Sequence, residues 1–245
     1  MGEMRESEDE KFVRSEALLG SEAMARLKAA RVLVVGVGGV GSWCAEALVR
    51  TGLGHITLVD DDVVAESNVN RQCPAMAATV GRAKVEAMAE RLRAINPGCE
   101  VEARNSRFSS AASFSSLASF DLIVDATDSV DCKAELILGA TEAGVPIVSS
   151  MGAALRLDPT KVKVTRFKKV EGDGLARTLR QRFKKLGRFP KGKFSCVWSG
   201  EAPVAAPVAE TATVRPKGSL MQVTAVFGMC LASEAIKILT KGETK

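Results

Sequence analysis

The chain has 245 residues, 46% of them hydrophobic and 26% charged, which is the composition of a globular protein with a core and excludes a disordered or fibrous chain. Thirty-four Lys plus Arg against 29 Asp plus Glu leave a net charge of +5, too modest to name a polyanionic partner without knowing where the excess lies. The single histidine, His55, excludes a histidine-rich metal centre, and six cysteines, each at least 26 residues from the next, exclude CxxC pairs and with them a zinc ribbon or thioredoxin-like motif. The opening MGEMRESEDE is acidic, unlike a secretory leader, and six thiols without a pairing pattern suit a reducing cytoplasm.

In chain order, RVLVVG at 31–36 is a β-branched apolar run ending in glycine, and 39–52 follows with helical spacing in Val40, Trp43, Cys44, Ala47 and Leu48. HITLVD at 55–60 is the next predicted strand, 81–95 a long helix closed by Asn96-Pro97-Gly98, and 100–104 a third strand. Residues 106–119 hold seven serines among 14 and read as a polar connection with a weak helix, anchored by Phe108, Phe114, Leu117 and Phe120. DLIVD at 121–125 is a buried-type strand, 130–143 a helix and 145–149 another strand. Strands alternating with helices require parallel pairing and right-handed crossovers, so the fold class is α/β with a doubly wound, Rossmann-like, mainly parallel sheet. Beyond it, 161–167 alternates charged and apolar residues like a strand with one wet face, 174–186 is a basic helix, 194–198 a strand, and the uncharged APVAAPVA at 202–209 a loop. The longest apolar region, 220–239, contains Gln222, Glu234 and Lys237, and its small residues suit a helix packed inside a protein better than a membrane span; a peripheral membrane contact is the minor reading.

GVGGVG at 36–41 satisfies G-x-G-x-x-G after a strand and at the opening of a helix. Gly36, Gly38, Gly39 and Gly41 let a nucleotide approach the backbone, and the unpaired N–H groups of the helix start favour an anion. Asp60 ends the next strand 24 positions after Gly36, where a carboxylate meets ribose hydroxyls. These features do not choose between NAD and ATP. Asp60-Asp61-Asp62, SNVNRQ at 67–72 and GRAK at 81–84 place acids and cations where a triphosphate would point, with Arg71 as a fork on phosphate and Lys84 as a point charge at the phosphate under attack. By spacing alone, Arg71 and Lys84 read equally well as surface cations. Asp128, in DATD at the carboxyl end of the fourth predicted strand, is placed to hold Mg2+ on the phosphates. Asp125 either joins it or caps the helix that starts near Val130.

GVGGVGS, LVDDD, SNVNRQ, VGRAKVEA, INP and DATDSV, in this order and spacing, resemble the adenylation fold of ubiquitin-activating-enzyme-like proteins over about residues 11 to 155. The resemblance implies Asp60 on the ribose, Asn68, Arg71 and Lys84 on the phosphates of ATP, and Asp128 on magnesium. It also implies a homodimer, with Arg14 in FVR entering the neighbouring subunit's phosphate site. FVRSEALLG, SCVWSGE and the C-terminal GSLMQVTAVFGMCLASEAIKIL further resemble the branch of that family that dehydrates threonylcarbamoyladenosine in tRNA, extending the likeness to nearly the whole chain. That branch implies an ATP-dependent cyclisation through carboxylate adenylation. The expected organisation is one domain: a helical arm at 1–30, a nucleotide-binding core at 31–155 and a basic, dimer-associated substrate part at 156–245. No zinc is expected, because the CxxC pairs of sulfur-carrier activators are absent. One departure is Cys73-Pro74 after NRQ, where relatives commonly carry an apolar or His residue.

Charge is concentrated in the second half. From Lys161 to Lys193 there are 13 cations against Glu171 and Asp173, a stretch of +11 that leaves −6 on the remainder. Such a segment is the electrostatic footprint expected for tRNA, with Lys168, Lys169, Arg180, Lys184, Lys185 and Arg188 as candidate contacts, although a solvated face reads the same way. Phe183 and Phe189 are expected as core anchors rather than base-stacking platforms, and Cys196 as a buried strand cysteine rather than a reactive thiol. The alternative function is activation of a ubiquitin-like or sulfur-carrier protein at its C-terminus, and a sulfur-transfer partner linked to a cysteine desulfurase stays open. A nicotinamide-dependent oxidoreductase or a non-catalytic nucleotide sensor is the reading from a different class.

Overall fold

The computed structural model describes residues 10–108, 117–204 and 217–241. Two short helices, α1 (Val13–Leu19) and α2 (Ser21–Ala29), lead into β1 (Arg31–Val35), α3 (Gly41–Thr51), β2 (His55–Asp60), α4 (Lys84–Ile95) and β3 (Glu100–Asn105). The chain continues through β4 (Leu122–Asp125), α5 (Val130–Glu142), β5 (Ile147–Ser150), β6 (Val162–Arg166), α6 (Gly174–Leu186), β7 (Ser195–Ser199) and α7 (Met221–Thr240). All the strands join one sheet in the order β3-β2-β1-β4-β5-β7-β6. Every pairing is parallel except β6 with β7.

The apolar runs are continuous rather than alternating because the sheet is covered on both faces. Val32 and Val34 of β1 point into a core with Cys44, Leu48, Met88, Phe227 and Leu231, from α3, α4 and α7. Leu33 and Val35 point the other way, to Ile137 and Leu138 of α5 and Leu179 and Phe183 of α6. The chain leaves β1 toward β2 on one side and returns to β4 on the other, so the loops after β1 and β4 diverge and open a crevice at the carboxyl edge of the sheet.

The long apolar helix lies inside this architecture. By length and composition α7 would suffice to cross a membrane, with mean hydropathy 1.5. Its Val223, Phe227, Leu231 and Ala235 are instead fully buried in the core shared with α3. Contact with α3 is close enough to require glycine, since a Cβ at Gly228 would lie 2.6 Å from the Val40 carbonyl oxygen and 2.8 Å from the Trp43 Cβ.

Element boundaries move for local reasons. The helix expected from residue 81 begins at Lys84, because Gly81 is left-handed and Ala83 is extended and bridges to Val63. In the serine-rich connection, Phe108, Leu117 and Phe120 are buried as expected and Leu117–Ser119 form a 3-10 turn; Phe114 and the rest of the expected weak helix lie outside the described residues. Most of the loop expected at 202–209 also lies outside them. Of the two expected aromatic anchors, Phe183 is buried but Phe189 is 60% exposed, in the loop that follows the left-handed Gly187.

Candidate nucleotide-binding site

The glycine turn joins β1 to α3 at the crevice. Gly36 is left-handed, and a Cβ there would meet the backbone of Ala126 and Thr127 at 2.7 to 2.8 Å, so this position lets the loops after β1 and β4 touch. Gly41 plays a similar packing part inside the turn, whereas a Cβ at Gly38 would have the Gln72 amide nitrogen 3.9 Å away and Gly39 lies along the aliphatic stem of Arg71. Gly38 is therefore the glycine of the motif with the most room for a ligand.

Asp60, at the end of β2, is bound to this turn. Its Oδ2 accepts the Val37 N–H at 2.6 Å and its Oδ1 accepts the Asp62 N–H at 2.9 Å, leaving further lone pairs on both oxygens for hydroxyl donors. Burial pushes the Asp60 carboxyl above its ordinary range, against the pull of those two amides. Asp60, Asp61 and Asp62 bring one carboxylate oxygen each within 4.8 Å of one another.

Lys84 opens α4, and a cation at a helix amino end is unfavourably placed with respect to the helix dipole. Asp62 compensates: its carboxylate lies 2.6 Å from the 5% exposed Lys84 ammonium, and its carbonyl accepts the Lys84 N–H at 3.0 Å. Arg71 is half-buried and donates to the Ser67 carbonyl at 2.8 Å and to Asn70 Oδ1 at 3.0 Å. Asn68 closes the turn that presents it. The Asn68 side-chain oxygen accepts the Ala65 N–H, and its carbonyl accepts the amides of Arg71 and Gln72.

Asp125 does not cap α5; Ser129 does, accepting the Cys132 N–H. Asp125 is instead fully buried at the end of β4, with its Oδ2 2.6 Å from the Lys133 ammonium and 2.5 Å from the Ser149 hydroxyl. The Lys133 ammonium, also fully buried, donates to the Ser150 carbonyl at 2.9 Å and so joins the ends of β4 and β5 to the first turn of α5. Asp125 Oδ1 accepts the Thr127 N–H, fixing the turn whose exposed tip is Asp128. Among the described residues the Asp128 carboxylate has no hydrogen-bond or ion-pair partner.

Residues 12–245 match the ThiF family. The chain belongs to the ThiF family. It is 40% identical to the tRNA threonylcarbamoyladenosine dehydratase of Escherichia coli (strain K12), over 93% of this chain and 92% of that protein. A crystal structure of the Escherichia coli tRNA N6-threonylcarbamoyladenosine dehydratase in complex with ATP superposes with a TM-score of 0.84 at 40% identity, covering 94% of this chain and 93% of that one. The molybdopterin-synthase adenylyltransferase of Salmonella typhimurium is 35% identical over 98% of this chain and 85% of its own length.

In this ThiF-family chain, Gly36, Gly38, Gly39, Gly41, Asp60, Asn68, Arg71, Lys84 and Asp128 all stand around one crevice at the carboxyl ends of β1, β2 and β4. Arg14 does not join them. It is exposed on α1, and the preceding Phe12 packs beside Gly52, at the far end of α3 from the glycine turn. Of the basic segment, the loop before β7 lies at the amino edge of the sheet, because β7 runs parallel to β5, whereas Arg182 pairs with Asp131 in the first turn of α5, three residues from Asp128. Several of the segment's arginines are engaged within the protein. Arg180 donates to the carbonyls of Phe167 and Val170, Arg182 pairs with Asp131, and Arg188 pairs with Glu135 and Glu142. Lys168, Lys169, Lys184 and Lys185 are exposed, with no partner among the described residues. Cys196 is fully buried as expected, and burial pushes its thiol far above the ordinary range.

Sequence reasoning missed Asp62 as the partner of Lys84, and Lys133 altogether. The one signal for Lys133 was a lysine set among the apolar positions of the helix that runs into LILGA.

Proposed function

We propose that this chain is an ATP-dependent enzyme that dehydrates threonylcarbamoyladenosine in tRNA by adenylating its carboxylate. The observation that carries this reading is the convergence of Asp60, Arg71, Lys84 and Asp128 on the crevice beside the glycine turn, in a chain with near full-length identity to a dehydratase of that name. The substrate carboxylate attacks the α-phosphate of ATP, forming an acyl-adenylate and releasing pyrophosphate. A nitrogen or oxygen of the same modification then attacks the activated carbonyl, closes a ring and expels AMP, which carries away the carboxylate oxygen. The net organic change is loss of one water.

This chemistry asks for positioning and charge stabilisation rather than an enzyme nucleophile. Asp60 orients the ribose, while Asn68, Arg71 and Lys84 stabilise the α-phosphate and the leaving pyrophosphate. Exposed carboxylate oxygens are the donors that Mg2+ prefers, so Asp128 fits as its protein ligand, and the ion when bound would neutralise phosphate charge. The reading includes a cytoplasmic homodimer in which Arg14 serves the phosphate site of a second copy, and a single domain whose basic part at 156–245 receives the tRNA.

The test is to incubate the purified protein with Mg-ATP and tRNA carrying threonylcarbamoyladenosine. Pyrophosphate and AMP should appear together with a nucleoside mass lower by one water. Lys84→Ala and Asp128→Ala should abolish turnover while keeping the fold, and full activity in either variant would refute these assignments. A carrier-activating step that goes on to a thioester or persulfide on Cys196 is disfavoured, because that thiol is fully buried. Pyrophosphate release only with a small carrier protein ending in Gly-Gly would nonetheless move the assignment there.

A further inference from the structure

Three segments border the proposed phosphate site: the glycine turn with Gly38, the 67–73 segment with Asn68 and Arg71, and α4 with Lys84. All three are tied to the first two turns of α3 by side chains that the proposed chemistry does not use. The Ser42 hydroxyl, fully buried, donates to the Gly38 carbonyl at 2.6 Å and accepts the Cys73 N–H at 3.1 Å. The Trp43 indole donates to the Arg71 carbonyl at 2.9 Å. One turn on, Glu46 is 5% exposed; its Oε2 accepts the Cys73 thiol at 2.8 Å and Arg91 Nε of α4 at 2.6 Å, and its Oε1 accepts Arg50 Nε at 2.7 Å.

A buried carboxylate costs desolvation free energy that a packed apolar residue would not. Here burial pushes the Glu46 carboxyl up, yet hydrogen bonds from Arg91, Cys73 and Arg50 reverse this and hold it at about 2. The Cys73 thiol is pushed up to about 12 by burial and by Glu46, so it stays a protonated donor. Arg71 is thus held by its carbonyl, by the amide and thiol two residues later, and by a stem that leaves a Cβ at Gly39 only 3.3 Å of room.

We propose that Ser42, Glu46 and Cys73 form a buried clamp that sets the position of Arg71 relative to Gly38 and Lys84, with Glu46 and Cys73 acting as positioning residues for the phosphate site. This rests on the assignment of Arg71 to the ATP phosphates. It also gives Cys73, the departure in the NRQ-Cys-Pro sequence, a defined part as the donor that engages Glu46.

The test compares ATP and AMP affinity by calorimetry on the full chain, with melting temperatures recorded for each variant. Arg71→Ala should weaken ATP more than AMP, because AMP keeps the α-phosphate but lacks the pyrophosphate portion. Cys73→Ala and Glu46→Gln should each weaken ATP by about tenfold with a smaller loss for AMP, and Cys73→Ser, which keeps a donor, should restore most of the loss. Equal weakening of ATP and AMP, or no weakening in folded variants, would overturn the clamp. Amide exchange across 70–75 reads the clamp without any nucleotide: it should quicken in Cys73→Ala and Glu46→Gln and return in Cys73→Ser, and unchanged exchange would also overturn it. If Arg71→Ala leaves the ratio of ATP to AMP affinity unchanged, the phosphate assignment fails while the exchange result still decides the clamp.

Discussion

Glu46 is held at about 2 by three donors, well below the 4.5 of an ordinary glutamate, so its charged form is favoured by folding. Its contribution is complete above about pH 4.5 and is lost as the pH falls toward 2, a change of roughly 3 kcal/mol. Urea unfolding of the wild type should therefore weaken steeply over that window, and Glu46→Gln should flatten the dependence. An unaltered acid limb in the variant would show that other carboxylates carry the effect. At this scale the sequence located the glycine turn after β1 and Asp60 at the end of β2, because turn chemistry and strand spacing dictate both. It was silent on Glu46, because glutamate on an amphipathic helix is ordinary, and only the approach of Cys73 and Arg91, 27 and 45 residues away, makes this one special.

At the scale of elements, β2 and α6 have the boundaries that their patterns predict, and β1 stops one residue short of its run because Gly36 turns left-handed. The helix amino ends were harder to place. Lys84 rather than Gly81 begins α4, and Ser129 rather than Asp125 caps α5, because a tertiary partner claimed the competing residue. Asp125 turned to Lys133, and that pair is the element-scale device that fastens β4, β5 and α5 under the Asp128 turn. Lys133→Met leaves a buried carboxylate unpaired and should cost about 3 to 5 kcal/mol in urea unfolding. Adding Asp125→Leu should recover much of that loss, since an apolar pair of similar volume removes the unpaired charge. A double variant as unstable as the single one would show that packing, not charge, is what Lys133 provides.

For the whole molecule, the arrangement of charge decides what the basic segment can do. Arg180, Arg182 and Arg188 join α6 to its neighbours, so only part of the +11 is available to a polyanion. Lys184 and Lys185 lie at the end of α6 nearest the amino edge of the sheet, away from the nucleotide crevice. Replacing both with Gln should raise the KM for tRNA, leave kcat nearly unchanged, and lower the slope of log affinity against log salt by about two. Arg180→Gln should act mainly on stability. An unchanged salt slope in the lysine variant would place the RNA on another face.

What the order of residues settled was local and periodic: a doubly wound sheet, a glycine turn after its first strand, and carboxylates and cations at strand and helix ends where the fold exposes backbone dipoles. Those features follow from hydrophobic spacing and turn chemistry, which act over a few residues. The tertiary structure alone decided which charges are partnered. Pairing depends on residues far apart in the chain, as with Asp62 and Lys84, Asp125 and Lys133, and Glu46 and Arg91. It also placed Lys191 and Lys193 away from the crevice, because the parallel pairing of β7 with β5 sends the loop before β7 to the amino edge, a placement that strand spacing leaves open.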